Sequence, residues 1–132
     1  SGNMAARNTQ ELLDEVARFG RPVKIHMDEG GSPYPGVRRA AERNPDLVII
    51  KAHGDDIEGA HQVEDLANVY FEFCSSGISP GRIRRATDAL GVERILFGTD
   101  QQLFAPWYQL GAYLDAIKDE IEDQAVIEGQ HG

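Results

Sequence analysis

Three residues that can bind metal ions each follow a short apolar stretch of the chain. His26 follows Val23-Lys24-Ile25, His53 closes the stretch that begins at Leu47, and Asp100 follows the run at 95–97. Imidazole nitrogens and a carboxylate oxygen suit zinc, manganese or iron. A bound metal lowers the pKa of its water, and Asp100 could both ligate the ion and accept a proton from that water.

The apolar stretches alternate with segments of helical periodicity, in the order αβαβαβαβα. Predicted strands cover residues 23–27, 47–53, 69–74 and 95–97. Strands that alternate with helices favour parallel pairing and right-handed crossovers. Because the carboxyl ends of parallel strands lie at one edge of a sheet, this order would bring His26, His53 and Asp100 together.

Each predicted helix has an expected buried face. Asn8 and Glu11 resemble a capping box at the start of the first helix, and Ser79-Pro80 resembles an N-cap followed by proline. A third helix is expected to open at Asp55 and Glu58. The expected apolar faces are Leu12, Leu13, Val16, Ala17 and Phe19; Val37, Ala40 and Ala41; Ile57, Ala60, Val63 and Leu66; Ile83, Ala86 and Leu90; and Leu110, Leu114, Ile117 and Ile121.

Composition excludes several classes of partner. The 132 residues suit a single domain, 1–132, and carry a net charge of −9 without a Lys/Arg cluster, which argues against nucleic acid and anionic membrane. No apolar run approaches a membrane span, and no signal peptide is recognisable.

The single cysteine, Cys74, excludes an internal disulfide and fits a cytoplasmic location. Ser1-Gly2-Asn3 resembles a cloning remnant, so Met4 is the expected natural start.

Four segments, in this order and spacing, resemble the amidohydrolase superfamily and its amidohydrolase-related (amidohydrolase 2) branch. They are PVKIHMD at 22–28, NPDLVIIKAHG at 44–54, NVYFEFCSS at 68–76 and GVERILFGTD at 91–100. The resemblance runs from about Leu12 to about Gly129. That branch includes lactonase-like hydrolases and decarboxylases of small aromatic or dicarboxylic acids.

The resemblance implies the second half of a (β/α)8 TIM barrel. The fold class would then be α/β, a parallel (βα)4 half-barrel with its helices on one side of the sheet, corresponding to strands five to eight. His26 and His53 would be the histidines of strands five and six, and Asp100 the aspartate of strand eight. The family uses such residues as metal ligands or as groups that act on water and substrate, which makes His53 and Asp100 the candidate catalytic residues.

Some family features are missing from the chain. The family carries a His-x-His pair of ligands on its first strand, whereas the histidines here are His26, His53, His61 and His131. Asp55 stands where a glycine usually follows the AHG segment. A divalent metal (Zn, Mn or Fe) is therefore expected to bind weakly or to have been lost.

Two function classes follow from these observations. The first is a metal-dependent hydrolase or decarboxylase of small organic acids or lactones, incomplete in one chain. The second is a non-catalytic half-barrel that serves as a scaffold or interaction protein. A further alternative is that the chain is a segment of a longer enzyme.

Each candidate residue also has a purely structural interpretation. His26 could be a hydrogen-bonded histidine at a strand end, His53 could serve the turn before Gly54, and Asp100 could cap the following segment. Cys74 is expected to pack at the end of the third strand without a partner that would make it a nucleophile. Trp107 and its neighbours from Phe104 to Tyr108 are expected in core or interface packing rather than at a substrate mouth.

A half-barrel leaves two strand edges and one apolar face of its sheet uncovered. Such surfaces usually mark an interface. We therefore expect a homodimer, in which a second copy either closes an eight-stranded barrel or packs face to face with the first. A small-molecule substrate is expected if the protein is active.

Overall fold

The sheet contains four parallel strands in sequential order. The computed structural model describes residues 3–26, 33–53, 59–74, 79–100 and 107–118. The strands are β1 (Val23–Ile25), β2 (Ile49–Lys51), β3 (Val69–Phe73) and β4 (Ile95–Phe97). Each strand pairs in parallel with the next along the chain, in the order β1-β2-β3-β4. The prediction of four parallel strands is confirmed, with shorter bounds for the first three.

Helices precede, connect and follow the strands. They are α1 (Arg7–Ala17), α2 (Tyr34–Arg43), α3 (Pro80–Leu90) and α4 (residues 107–118), together with 3-10 helices at Gly59–Val63 and Val92–Arg94. Ser79 caps α3, because its hydroxyl accepts a hydrogen bond from the Arg82 backbone N–H, and Pro80 follows it as predicted. No helix among the described residues is long and apolar enough to cross a membrane.

One hydrophobic core joins α1 to α4 and the 3-10 helix at Gly59–Val63 to one face of the sheet. The strands contribute the alternate residues Ile49, Val69, Phe71 and Phe73. The helices contribute Leu13; Tyr34, Val37, Ala40 and Ala41; Ala60 and Val63; Ile83, Ala86 and Leu90; and Ala112, Tyr113 and Ala116. The expectation that the helices share one side of the sheet is therefore confirmed.

The opposite side of the sheet carries the other alternate residues of the strands. We call this set the inner face; it comprises Lys24, Ile50, Tyr70, Glu72 and Leu96, which lie opposite one another in the strand registers. The Nζ atom of Lys24 lies 2.5 Å from Oε2 of Glu72. This ion pair reaches across β2, so the inner face carries both charge and apolar surface.

Two buried polar side chains fasten β4 to the rest of the sheet. The Arg94 guanidinium donates to the carbonyls of Val69, Glu64 and Val63 at 2.9, 2.6 and 3.0 Å. Burial lowers the pKa of Arg94. The Tyr113 hydroxyl lies 2.6 Å from the carbonyls of both Phe73 and Leu96 and accepts from the Phe73 N–H at 2.9 Å. The Arg94 bonds lie at the amino end of β3, whereas the Tyr113 bonds satisfy backbone groups of β3 and β4 near their carboxyl ends, where the candidate site lies.

The capping box expected at the start of the first helix was wrong, and the expected start of the third helix at Asp55 and Glu58 lies outside the described residues. α1 begins at Arg7 after Ala6 without a side-chain cap, and Asn8 instead accepts from the Thr9 N–H. Residues 59–63 form a 3-10 helix, and residues 54–58 lie outside the described part of the chain. Leu66 follows the 3-10 helix rather than belonging to it.

The expected apolar face of α4 was wrong at Leu110 and Leu114, whereas Ile117 packs against the core and Ile121 lies outside the described residues. Leu110 and Leu114 are about half exposed, whereas Gln109, Ala112, Tyr113 and Ala116 are buried. Leu12 and Phe19, expected on the buried face of the first helical segment, are likewise exposed. Ala112, Tyr113 and Ala116 pack in the core, whereas Leu110 and Leu114 point away from it. The chain therefore leaves an apolar stripe on α4, comprising Trp107, Leu110 and Leu114, which we call the α4 stripe.

Candidate functional site

Four side chains with metal-binding atoms follow the four strands. His26 comes directly after β1, and Cys74 comes directly after β3. One residue separates His53 from β2, and two residues separate Asp100 from β4. Since the strands are parallel, all four residues lie at the same edge of the sheet. The sequence-based prediction that this edge collects the candidate residues is met by the topology.

His53 lies at the centre of this group. Its Nε2 atom is 2.7 Å from Nδ1 of His26, and the two rings meet edge to face with centroids 4.5 Å apart. Its Nδ1 atom is 3.4 Å from Sγ of Cys74. One ring nitrogen of His53 therefore faces His26 and the other faces the Cys74 thiol. In a neutral imidazole only one nitrogen accepts a hydrogen bond, so the tautomer of His53 determines whether it accepts from His26 or from Cys74.

Three of the four side chains bring ligand atoms close together. One atom from each of His53, Cys74 and Asp100 lies within 4.8 Å of the other two. His26 is not in this group. Nitrogen, sulfur and oxygen donors in one cluster suit a zinc-type ion. The donor set therefore fits the divalent metal that the sequence implies.

The backbone is unusual at two of these residues. His53 has a φ of 69° and Asp100 a φ of 50°. Residues with a Cβ seldom adopt positive φ, although Asp and His do so more often than most. Such conformations cost of order 1–3 kcal/mol and gather at functional sites. Both residues lie after strand ends, where their side chains approach Cys74.

Glu72 and Gly98 pack closely beneath the group. A Cβ atom on Gly98 would lie 1.8 Å from Oε1 of Glu72, so only glycine leaves room for that carboxylate. Oε2 of Glu72 lies 3.7 Å from the Cys74 sulfur and also binds Lys24. The Lys24–Glu72 ion pair thus lies directly below the candidate site, and Gly98, just after β4, leaves the space that the Glu72 carboxylate occupies.

Cys74 is buried, and its surroundings disfavour the thiolate. Burial raises the pKa of its thiol, and the charges of Glu72 and Asp100 raise it further; the hydrogen bond with His53 and the charge of Lys24 oppose this, and the pKa is about 11. A thiol with that pKa is protonated near neutral pH and is a poor nucleophile. The site as described therefore does not resemble that of a cysteine hydrolase.

Cys74 is buried, as the sequence predicted, and it also belongs to the candidate site, which was not predicted. The signal was available, since Cys74 follows β3 as His26 follows β1. The structural alternative for Asp100, a cap on the next segment, involves residues 101–106, which lie outside the described residues. His53 does make the turn after β2, and its side chain still reaches Cys74. Phe104 lies outside the described residues, and Trp107 is highly exposed.

A separate depression lies away from the strand ends. It has a volume of about 430 Å³ and lies between α1 and the segment after α2. Asp14, which lines it, is bound by Arg43 and Asn44. None of the four strand-end residues lines it, so the candidate site remains at the carboxyl edge of the sheet.

Comparisons with known proteins agree with this architecture. One solved structure, amidohydrolase 2 from Bifidobacterium longum subsp. infantis, matches with a TM-score of 0.68 at 15% identity, over 86% of this chain and 50% of that one. The chain thus spans about half the length of that structure. No curated protein matches. The sequence model described as Amidohydrolase matches residues 3–129. Given that match and the half-barrel of parallel strands, the chain belongs to the amidohydrolase family.

Proposed function

We propose that the chain forms the metal-binding edge of a hydrolase or decarboxylase that acts on small organic acids or lactones. The observation that supports the proposal is the meeting of His53, Cys74 and Asp100 at the ends of three adjacent strands. Membership of the amidohydrolase family, which typically uses divalent metals, supports it further. The metal would supply Lewis acidity and a water molecule of lowered pKa.

The residues of the chain would divide the remaining work. His53 and Asp100 would hold the ion, and Asp100 would also take the proton of the attacking water. His26, whose Nδ1 lies 2.7 Å from His53, would orient the imidazole, although the prediction that His26 is itself a ligand stays open to test. The Lys24–Glu72 ion pair on the inner face would form the lower wall of the substrate-binding space.

We also propose that a second copy of the chain packs against the sheet edges and the α4 stripe. Two observations support this. The α4 stripe exposes Trp107, Leu110 and Leu114, and β1 and β4 are the edges of the four-stranded sheet. The solved amidohydrolase is about twice as long as the stretch that this chain matches, so two copies would bring the strand number to eight. If the two copies close one barrel, both sets of strand-end residues would lie at the same mouth.

Activity is tested with the purified chain loaded in turn with zinc, manganese and iron(II). Lactone hydrolysis is followed by acid release, and turnover of small aromatic or dicarboxylic acids by carbon dioxide release. Asp100→Asn should lower the rate about 10²–10⁴-fold, as expected for the loss of a proton acceptor. The control is Arg7→Ala, which removes a side chain exposed on α1.

Two results would contradict the proposal. Turnover that survives Asp100→Asn unchanged would place the chemistry elsewhere. The absence of turnover with every metal and substrate class would favour the non-catalytic scaffold instead, which the exposed α4 stripe independently suits.

A further inference from the structure

We infer that Cys74 is a direct, thiolate ligand of the metal, so that the site prefers a soft, zinc-like ion over magnesium or manganese. The inference rests on the proposed function insofar as both concern the same ion. It concerns a residue at the end of β3, whereas the histidines and the aspartate stand at the ends of the other three strands.

The geometry requires little movement. The ligand atoms of His53, Cys74 and Asp100 lie within 4.8 Å of one another. In a tetrahedral zinc site with bonds of about 2.0–2.3 Å, ligand atoms lie roughly 3.4–3.8 Å apart. The pair formed by Sγ of Cys74 and Nδ1 of His53, at 3.4 Å, already has such a spacing. Movements of about 1 Å in these side chains would therefore place all three ligand atoms at bonding distance from one ion.

The surroundings of the sulfur favour a cation beside it. Cys74 is only 2% exposed, and carboxylates approach it from Glu72, at 3.7 Å, and from Asp100 in the three-residue group. Lys24 already neutralises Glu72, which leaves the Asp100 charge for an ion at the strand ends. On binding, the thiol loses its proton to the buffer, the S–H bond is replaced by a sulfur–metal bond, and no electron is transferred.

The contact between Cys74 and His53 has an alternative explanation: without a metal, the Cys74 thiol donates a hydrogen bond to the His53 nitrogen. That arrangement would satisfy both side chains locally. It does not use the Asp100 carboxylate, however, which lies within the same 4.8 Å group on the neighbouring strand end. Convergence of all three donors from three strands is the observation that favours ligation over local packing.

The chain offers a clean spectroscopic test because Cys74 is its single cysteine. The metal-free chain is titrated with cobalt(II), which takes zinc sites and is coloured. Visible d–d bands report binding, and an intense near-ultraviolet sulfur-to-cobalt charge-transfer band reports a thiolate ligand. X-ray absorption of the zinc-loaded chain should show a sulfur neighbour at about 2.3 Å.

The variants are Cys74→Ser and Cys74→Ala, with His61→Ala as the matched control, since His61 is exposed and pairs with Glu64 instead. We expect the charge-transfer band in the unaltered chain and in His61→Ala, and its loss in both Cys74 variants. Should those variants misfold, the unaltered chain alone decides the question. Zinc should displace cobalt, whereas magnesium should not.

Two outcomes would overturn the inference, and they differ in what they say about the proposed function. Cobalt bound with d–d bands but without a charge-transfer band would reject the thiolate ligand and leave the metal-dependent function standing. Failure of the unaltered chain to bind cobalt at all would reject both.

Discussion

The Nε2 atom of His53 lies 2.7 Å from Nδ1 of His26, at the ends of two neighbouring parallel strands. If the proton of this pair is on His53, the Nδ1 atom of His53 is a lone-pair donor that faces Cys74. His26 then fixes both the ring orientation and the tautomer of a metal ligand, as partners outside the coordination sphere commonly do.

The first prediction concerns this histidine pair. His26→Ala should weaken metal binding about 10–100-fold, the usual cost of losing a group that orients a ligand. His53→Ala should abolish binding, and His26→Gln, which keeps an acceptor for the imidazole, should retain most of it. Calorimetric zinc titration measures all three, with His61→Ala as control. Equal losses in His26→Ala and His53→Ala would instead make His26 a direct ligand.

The second prediction uses two glycines with opposite surroundings. Gly98→Ala would place a Cβ against the buried Glu72 carboxylate and should lower the free energy of unfolding by about 1–3 kcal/mol. Gly111→Ala, on α4 with open space around it, should raise that free energy by roughly 0.5–1 kcal/mol. Urea unfolding distinguishes them, and a neutral Gly98→Ala would show that Glu72 moves aside without cost.

The third prediction concerns Tyr113, whose hydroxyl contacts the backbone of both Phe73 and Leu96. Tyr113→Phe leaves buried backbone groups with fewer partners and should lower the free energy of unfolding by about 1–3 kcal/mol at neutral pH. The control is Tyr108→Phe on the exposed side of α4, which should change little.

The same tyrosine predicts a dependence of stability on alkaline pH. Burial raises the pKa of Tyr113 above its ordinary value of 10. Below that value both the folded and the unfolded states hold a neutral phenol, so its contribution to stability is fully present. As the pH rises further, the unfolded state loses its proton first, and the free energy of unfolding falls. Denaturant unfolding as a function of pH should show a steeper fall in the unaltered chain than in Tyr113→Phe. Parallel curves would contradict this.

The fourth prediction concerns assembly. Light scattering after size exclusion, across a dilution series, should give a species of twice 14.6 kDa that dissociates only on dilution. Leu110→Asp and Leu114→Asp place charges in the α4 stripe and should yield monomers. Val92→Asp, on a different exposed element, serves as control. A monomer at every concentration of the unaltered chain would reject the proposed homodimer.

The strands were predictable because their residues follow a simple physical pattern. The apolar runs ending at Ile50 and Phe97 are typical of strands in a helix-covered parallel sheet, and their order implies the topology. Residue type alone could not assign the faces of α4. Leu110 and Leu114 are bulky and apolar, yet they are about half exposed, whereas the smaller Ala112 and Ala116 are buried in the core.

The candidate site was predictable in its position but not in its contacts. The strand-end rule located His26, His53 and Asp100, and applied consistently it would have included Cys74. The contact of His53 with both His26 and Cys74 depends on a positive φ at His53 that no periodicity encodes.

The strictly sequential pairing of the strands makes this protein resemble a stack of repeats. Val23 pairs with Ile49, Ile49 with Val69, and Phe71 with Ile95. Each strand is therefore hydrogen-bonded to the strands that precede and follow it in the chain. Stability in such arrays is a sum of unit and neighbour terms, and unravelling starts at the ends. Amide exchange should therefore be slowest in the β2–β3 pair and fastest at β1 and β4, unless another set of strands is stacked against those two ends.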